Sequence, residues 1–145
     1  MELFVYSRHA IEAARPHEVP HLIISITSGP EDVARLRTTG MCKGILRLVF
    51  LDAEEPTDPC PEDQLFSKEQ ARRLWAFVLE HRGQVERIVV HCDAGKSRSP
   101  AVAAALAHVF EGDRDEFMGG RYRPNMRVYR TLIDTYPEVP RPRSP

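Results

Sequence analysis

The stretch His91-Cys92-Asp93-Ala94-Gly95-Lys96-Ser97-Arg98-Ser99 brings a thiol, a glycine and a guanidinium together between two differently patterned segments. The apolar, β-branched run Arg87-Ile88-Val89-Val90-His91 precedes it, and the alanine-rich Pro100 to Phe110 follows, so it reads as a loop joining a strand to a helix. At such a junction several backbone N–H groups and the positive end of the helix dipole converge, which is a setting for anions. The same setting favours a thiolate over a thiol, and Arg98 adds a full positive charge, so Cys92 is expected to be a nucleophile at neutral pH. Gly95 permits the positive φ that lets the N–H groups of Asp93, Ala94, Gly95, Lys96, Ser97 and Arg98 face one anion. The planar fork of Arg98 suits two phosphate oxygens at once, which a lysine could not reproduce. These groups fit in-line attack of sulfur on phosphorus, with the equatorial oxygens held by N–H groups and Arg98. A cysteinyl-phosphate would form and water would hydrolyse it, with no metal and no organic cofactor. The Ser99 hydroxyl is placed to stabilise the thiolate as it leaves.

The elements that must carry this loop follow from patterning. Leu3-Tyr6 suits a short strand, and His9 to Arg15 a brief helix before Pro16. His21-Thr27 is almost continuously apolar, as in a strand buried on both faces. Pro30, with Glu31 and Asp32, reads as the start of a short helix running through Arg37. Gly44-Leu51 is a third strand, followed by an acidic, proline-rich loop from Asp52 to Gln64. Ser67-Lys68-Glu69-Gln70 fits a capping box with Phe66 stapling against Ala71, and Leu74, Trp75, Val78 and Leu79 recur at helical spacing before Gly83 closes the helix. A last helix buries Val128, Tyr129, Leu132, Ile133 and Tyr136. Strands alternating with helices predict an α/β fold with a mainly parallel central sheet of four to five strands, flanked by helices on both faces. Ligands in such sheets bind beyond the carboxyl ends of the strands, where the loops after Leu51 and His91 emerge.

The string His91-Cys92-x-x-Gly95-x-x-Arg98-Ser99 resembles the signature loop of cysteine-dependent protein tyrosine phosphatases, and the short chain resembles their compact dual-specificity branch. The resemblance implies a tyrosine phosphatase-like fold, Cys92 as nucleophile, Arg98 as phosphate clamp, Ser99 as helper of the leaving thiolate and His91 as a structural neighbour tuning the sulfur. Arg123-Pro124-Asn125, opening the last helix, is similar to the segment that buttresses the signature loop in that branch, which makes Asn125 a supporting residue. The family also supplies an aspartate from an upstream loop as general acid. Asp52 directly follows the third strand, where the branch places its acid, but lies further from Cys92 than that branch leads one to expect. Asp58 fits the interval better, although its neighbours Pro56, Pro59 and Pro61 do not fit the pattern. An insertion within residues 53–63 would reconcile Asp52 with the longer interval, so Asp52 is favoured and Asp58 stays open as the alternative acid.

Composition bounds the rest. With 145 residues, 42% hydrophobic and 28% charged, the chain fits one domain, expected over residues 1–137 with a flexible tail over 138–145. A net charge of -1 argues against the broad positive field of a nucleic-acid binder, so no nucleic-acid partner is expected. No apolar run approaches a membrane span and no signal-peptide core opens the chain, so a cytoplasmic location is the expectation. The three cysteines, Cys42, Cys60 and Cys92, have no C-x-x-C pair and make a poor disulfide framework and a poor metal site. A reversible disulfide between Cys42 or Cys60 and an oxidised Cys92 is the alternative use of the other two. Lys96 could favour substrates with extra negative charge, an idea that Asp93 opposes, and it reads more simply as part of the loop rim. The expected protein is a monomer acting on a phosphorylated protein, on phosphotyrosine and also phosphoserine or phosphothreonine. The alternatives are the same chemistry on a small phosphomonoester (an inositol phosphate, phospholipid or RNA 5′ end), or a phosphate-binding or redox-sensing module without turnover.

Overall fold

Strand β2 (His21–Thr27) is buried at every one of its residues, as its apolar run demands of an inner strand. The computed structural model describes residues 1–110 and 112–141. Its other strands are β1 (Glu2–Ser7), β3 (Cys42–Val49) and β4 (Arg87–Cys92), and its helices α1 (Arg8–Ala13), α2 (Lys68–His81), α3 (Arg98–Val109) and α4 (Met126–Thr135). The four strands form one sheet in the order β1-β4-β2-β3, and every pairing is parallel. Parallel strands put all their carboxyl ends on one edge, so Ser7, Ser28, Phe50 and Cys92 leave the sheet together.

The two faces are covered unequally. Leu22, Ile24 and Ile26 of β2, with Ile88 and Val90 of β4, pack in the main core against α2, α3 and α4. On the other face Ile23 and Val89 meet Ile11 of the short α1, with Phe4, Tyr6, Leu36 and Cys42 around them. Helix α3 is buried along Arg98 to Ala107, which is why its composition is apolar on every side. Helix α2 carries the expected reciprocal capping box between Ser67 and Gln70, and the indole N–H of its fully buried Trp75 donates to the Leu132 carbonyl at 2.8 Å.

Several expectations are corrected. Residues 30–37 form no helix, only a turn followed by irregular chain. Their backbone groups are claimed from outside: Arg8 Nη2 donates to Val33 O (3.1 Å), Arg47 Nη1 to Ala34 O (3.4 Å), and Arg35 N donates to Glu12 Oε2 (2.8 Å). The third strand runs from Cys42 to Val49, because Leu51 N turns away to Gln64 O at 2.8 Å. Gly83 does not adopt positive φ; α2 tightens instead into a 3-10 turn over Arg82–Gln84. Helix α3 begins at Arg98 and tolerates Pro100 because the first turn needs no N–H there. Residues 138–141 continue from a 3-10 turn over Tyr136–Glu138, with Val139 only 7% exposed in the main core. The remainder of the expected tail, 142–145, lies outside the described residues. No helix among the described residues is long and apolar enough to cross a membrane.

Candidate active site

The loop from Asp93 to Ser97 hangs between the end of β4 and the start of α3, and its shape is set by its neighbours. Gly95 has φ of +68°, and a Cβ built there would lie 2.7 Å from the backbone nitrogen of Ser7, so only glycine lets the loop close against the end of β1. The carbonyl of Asp93 accepts from Arg8 N (3.1 Å), that of Lys96 from Arg123 N (2.7 Å), and that of Ser97 from Asn125 N (3.0 Å). Three of the loop's carbonyls are therefore used to fasten it. Its donors are not: among the described residues, no backbone N–H of Ala94, Gly95, Lys96 or Ser97 donates to a protein acceptor. Unspent N–H groups beside a helix N-terminus are what an anion requires.

Cys92 is 2% exposed, at the floor of this loop. Its Sγ lies 3.0 Å from Ser99 Oγ and accepts from Ser99 N at 3.4 Å, so the first turn of α3 faces the sulfur with a backbone donor and a hydroxyl. Behind it, His91 is fully buried, its Nε2 2.6 Å from Ser25 Oγ and its Nδ1 3.4 Å from the Cys92 carbonyl. Burial pushes the His91 imidazole below its ordinary pKa, against the opposing pull of the Cys92 carbonyl, so the ring holds the backbone of Cys92 as a neutral group.

Arg98 is 4% exposed. Its Nη1 donates to Phe50 O at 2.8 Å and to Ser28 Oγ at 3.0 Å, and its Nη2 to Asp93 Oδ2 at 3.1 Å. Of the guanidinium's five donors this leaves Nε–H and one N–H of Nη2, and Nε is buried without a partner among the described residues. Nε and Nη2 flank one edge of the fork and can grip two oxygens of one phosphate side by side. A buried donor left unpaired costs stability unless a ligand completes it.

The structure separates the two candidate acids. Asp52 Oδ1 accepts from Ser97 Oγ (2.8 Å) and from Asn125 Nδ2 (2.9 Å), tying the acidic loop to the loop of Cys92, while Oδ2 has no partner among the described residues. Asn125 in turn caps α4 through Val128 N (3.1 Å), so one amide positions both helix and acid. Asp58 lies on a self-contained turn closed by Thr57 N to Cys60 O at 2.9 Å, and makes no hydrogen bond to residues 92–99 among the described residues. The acidic loop is fastened at its far end as well, where Arg127 reaches Glu62 Oε1 at 2.6 Å and Phe66 O at 3.0 Å. Sequence reasoning did not pick out Ser28, Arg127 or Ser25. Ser28 was within reach, since it directly follows a strand whose carboxyl end opens on the same edge as Cys92.

Cys42 is not placed to pair with Cys92. It is level with His21 and thus with Arg87, at the opposite end of the sheet, about 16 Å from Cys92 along the strand direction. A disulfide needs Cα atoms within about 7 Å. Beside the loop an open cleft of about 400 Å³ is lined by Tyr6, Ser7, Gly95, Lys96, Arg121 and Tyr122. Neither Lys96 nor Arg121 forms an ion pair among the described residues. In comparison with known proteins, no family model and no curated protein matches this chain.

Proposed function

We propose that the protein is a cysteine-dependent phosphomonoesterase of the tyrosine or dual-specificity type, with a tyrosine phosphatase-like fold. The observation that carries this reading is the donor set left unspent among the described residues: the free edge of buried Arg98 and the N–H groups of the loop that joins Cys92 to α3, whose first turn contacts the Cys92 sulfur. A phosphoryl group would satisfy those donors with its equatorial oxygens, leaving phosphorus in line with Sγ. Sulfur attacks phosphorus, the bond to the leaving oxygen breaks, and Asp52, held by Ser97 and Asn125 through Oδ1, gives the leaving oxygen a proton from Oδ2. Water then attacks the cysteinyl-phosphate and returns its proton to Asp52. The S–P electron pair goes back to sulfur, which Ser99 receives with its hydroxyl.

The test is hydrolysis of an aryl phosphate. Turnover inhibited by vanadate and abolished by Cys92→Ser is expected; turnover that survives Cys92→Ser, or no turnover at all, would overturn the reading. A second reading, the same chemistry on a non-protein phosphate, is favoured by Lys96 and Arg121 on the cleft, two cations without carboxylate partners among the described residues. Phosphopeptides, inositol phosphates and RNA 5′ ends assayed side by side separate the two.

A further inference from the structure

Ser28 and Asp93 close a three-membered ring with Arg98. Arg98 Nη1 donates to Ser28 Oγ at 3.0 Å, Ser28 Oγ donates to Asp93 Oδ2 at 3.2 Å, and the same Oδ2 accepts Arg98 Nη2 at 3.1 Å. A serine hydroxyl has one donor and two acceptor sites, so Ser28 can give to Asp93 and receive from Arg98 at once. The ring is asymmetric in exposure: the Arg98 side chain is 5% exposed and that of Asp93 45%, so a solvent-facing carboxylate reaches inward to a buried cation. Phe50 O takes the remaining Nη1 hydrogen. Every donor on the far side of the guanidinium is thereby fixed, and the edge formed by Nε and Nη2 is the part left unbonded among the described residues.

We infer that Ser28 and Asp93 are positioning residues that aim the open edge of Arg98 at a bound phosphoryl group, an inference that rests on the phosphatase reading. Neither residue needs to touch substrate. A long guanidinium side chain has several rotatable bonds, and holding it by three bonds on one side makes its two remaining donors converge before the oxyanion arrives. Asp93 has a further consequence. Its carboxylate shares the charge of Arg98, so the loop presents a directed pair of donors rather than an undirected excess of positive charge. Asp93 and Ser28 thus act as one unit across two loops, one after β2 and one after β4, and their parallel pairing in the sheet brings them together.

The experiment measures inorganic vanadate binding by calorimetry on the full chain, with the Nε–H resonance of Arg98 followed by NMR. Wild type is expected to bind vanadate and to shift the Nε–H signal. Ser28→Ala is expected to weaken binding roughly tenfold or more, in keeping with the cost of a misplaced catalytic group. Ser28→Thr, which keeps the hydroxyl, is expected to restore most of it, and Asp93→Asn to fall between. If Ser28→Ala does not fold, the comparison of Ser28→Thr and Asp93→Asn with wild type decides instead: wild-type affinity and an unchanged Nε–H signal in Asp93→Asn would overturn the brace. Equal binding by Ser28→Ala and wild type would overturn the brace and leave the phosphatase reading standing. Failure of wild type to bind vanadate would overturn that reading, and the brace with it.

Discussion

The two sides of the loop from Asp93 to Arg98 contrast in how their polar groups are spent. On the side facing β2 and β3, bonds between 2.8 and 3.2 Å form two sets, one joining Arg98, Ser28 and Asp93 and the other joining Ser97, Asp52 and Asn125. On the side facing β1, Gly95 lies close against the backbone of Tyr6 and Ser7, and Lys96 and Arg121 line an open cleft with no ion-pair partner among the described residues. A side whose groups satisfy one another is preorganised, and its geometry costs nothing further when the reaction begins. A side whose cations are unpaired in solvent gives weak, adaptable attraction. Chemistry on the braced side and substrate choice on the open side is the division this contrast implies.

The largest effect should come from the braced side. Asp52→Asn is expected to lower kcat/KM for phosphomonoesters with poor leaving groups by about 10²–10⁴-fold while sparing kcat/KM for activated aryl phosphates, whose cysteinyl-phosphate is then hydrolysed more slowly. Steady-state kinetics across a leaving-group series checks this, and the same series on Asp58→Asn should stay flat. Equal loss on all substrates would make Asp52 a fastener of the loop rather than a proton donor. At the junction of the two sides, Gly95→Ala places a Cβ 2.7 Å from Ser7 N at a φ of +68°. A stability loss of about 1–3 kcal/mol, read from denaturant unfolding, is expected together with weaker oxyanion binding. The smallest effect belongs to the open side. Arg121→Ala should change KM for a multiply charged substrate by roughly fivefold or less and leave the leaving-group dependence alone. A change in that dependence would erase the distinction between the sides.

The braced side was only partly legible in the sequence. Cys92, Gly95, Arg98 and Ser99 stand close together between a strand pattern and a helix pattern, so local spacing alone placed them on one loop. Asn125 and Asp52 were legible through resemblance and strand-end position, but the bond that joins them spans 73 positions and carries no local signal. Ser28 was hidden for the same reason, and more deeply, because Pro30, Glu31 and Asp32 mimic a helix start. That helix loses to tertiary competition: Arg8, Glu12 and Arg47 take the backbone groups that its hydrogen bonds would need. The inner strand β2 and helix α2 were legible because each announces itself locally, by a fully apolar run and by a capping box. Gly83 shows the limit of such signals, since a glycine after a helix allows a left-handed cap without requiring one.

Under the proposed function Cys92 becomes phosphorylated during turnover. The most direct measurement is acid quenching of the protein during hydrolysis of an aryl phosphate, followed by mass spectrometry of the peptide containing Cys92. A phosphate on the Cys92 sulfur, accumulating when Asp52→Asn slows its hydrolysis and absent from Cys92→Ser, is the predicted result. Hydrolysis with no adduct on Cys92 at any quench time, or an adduct on another residue, would contradict it.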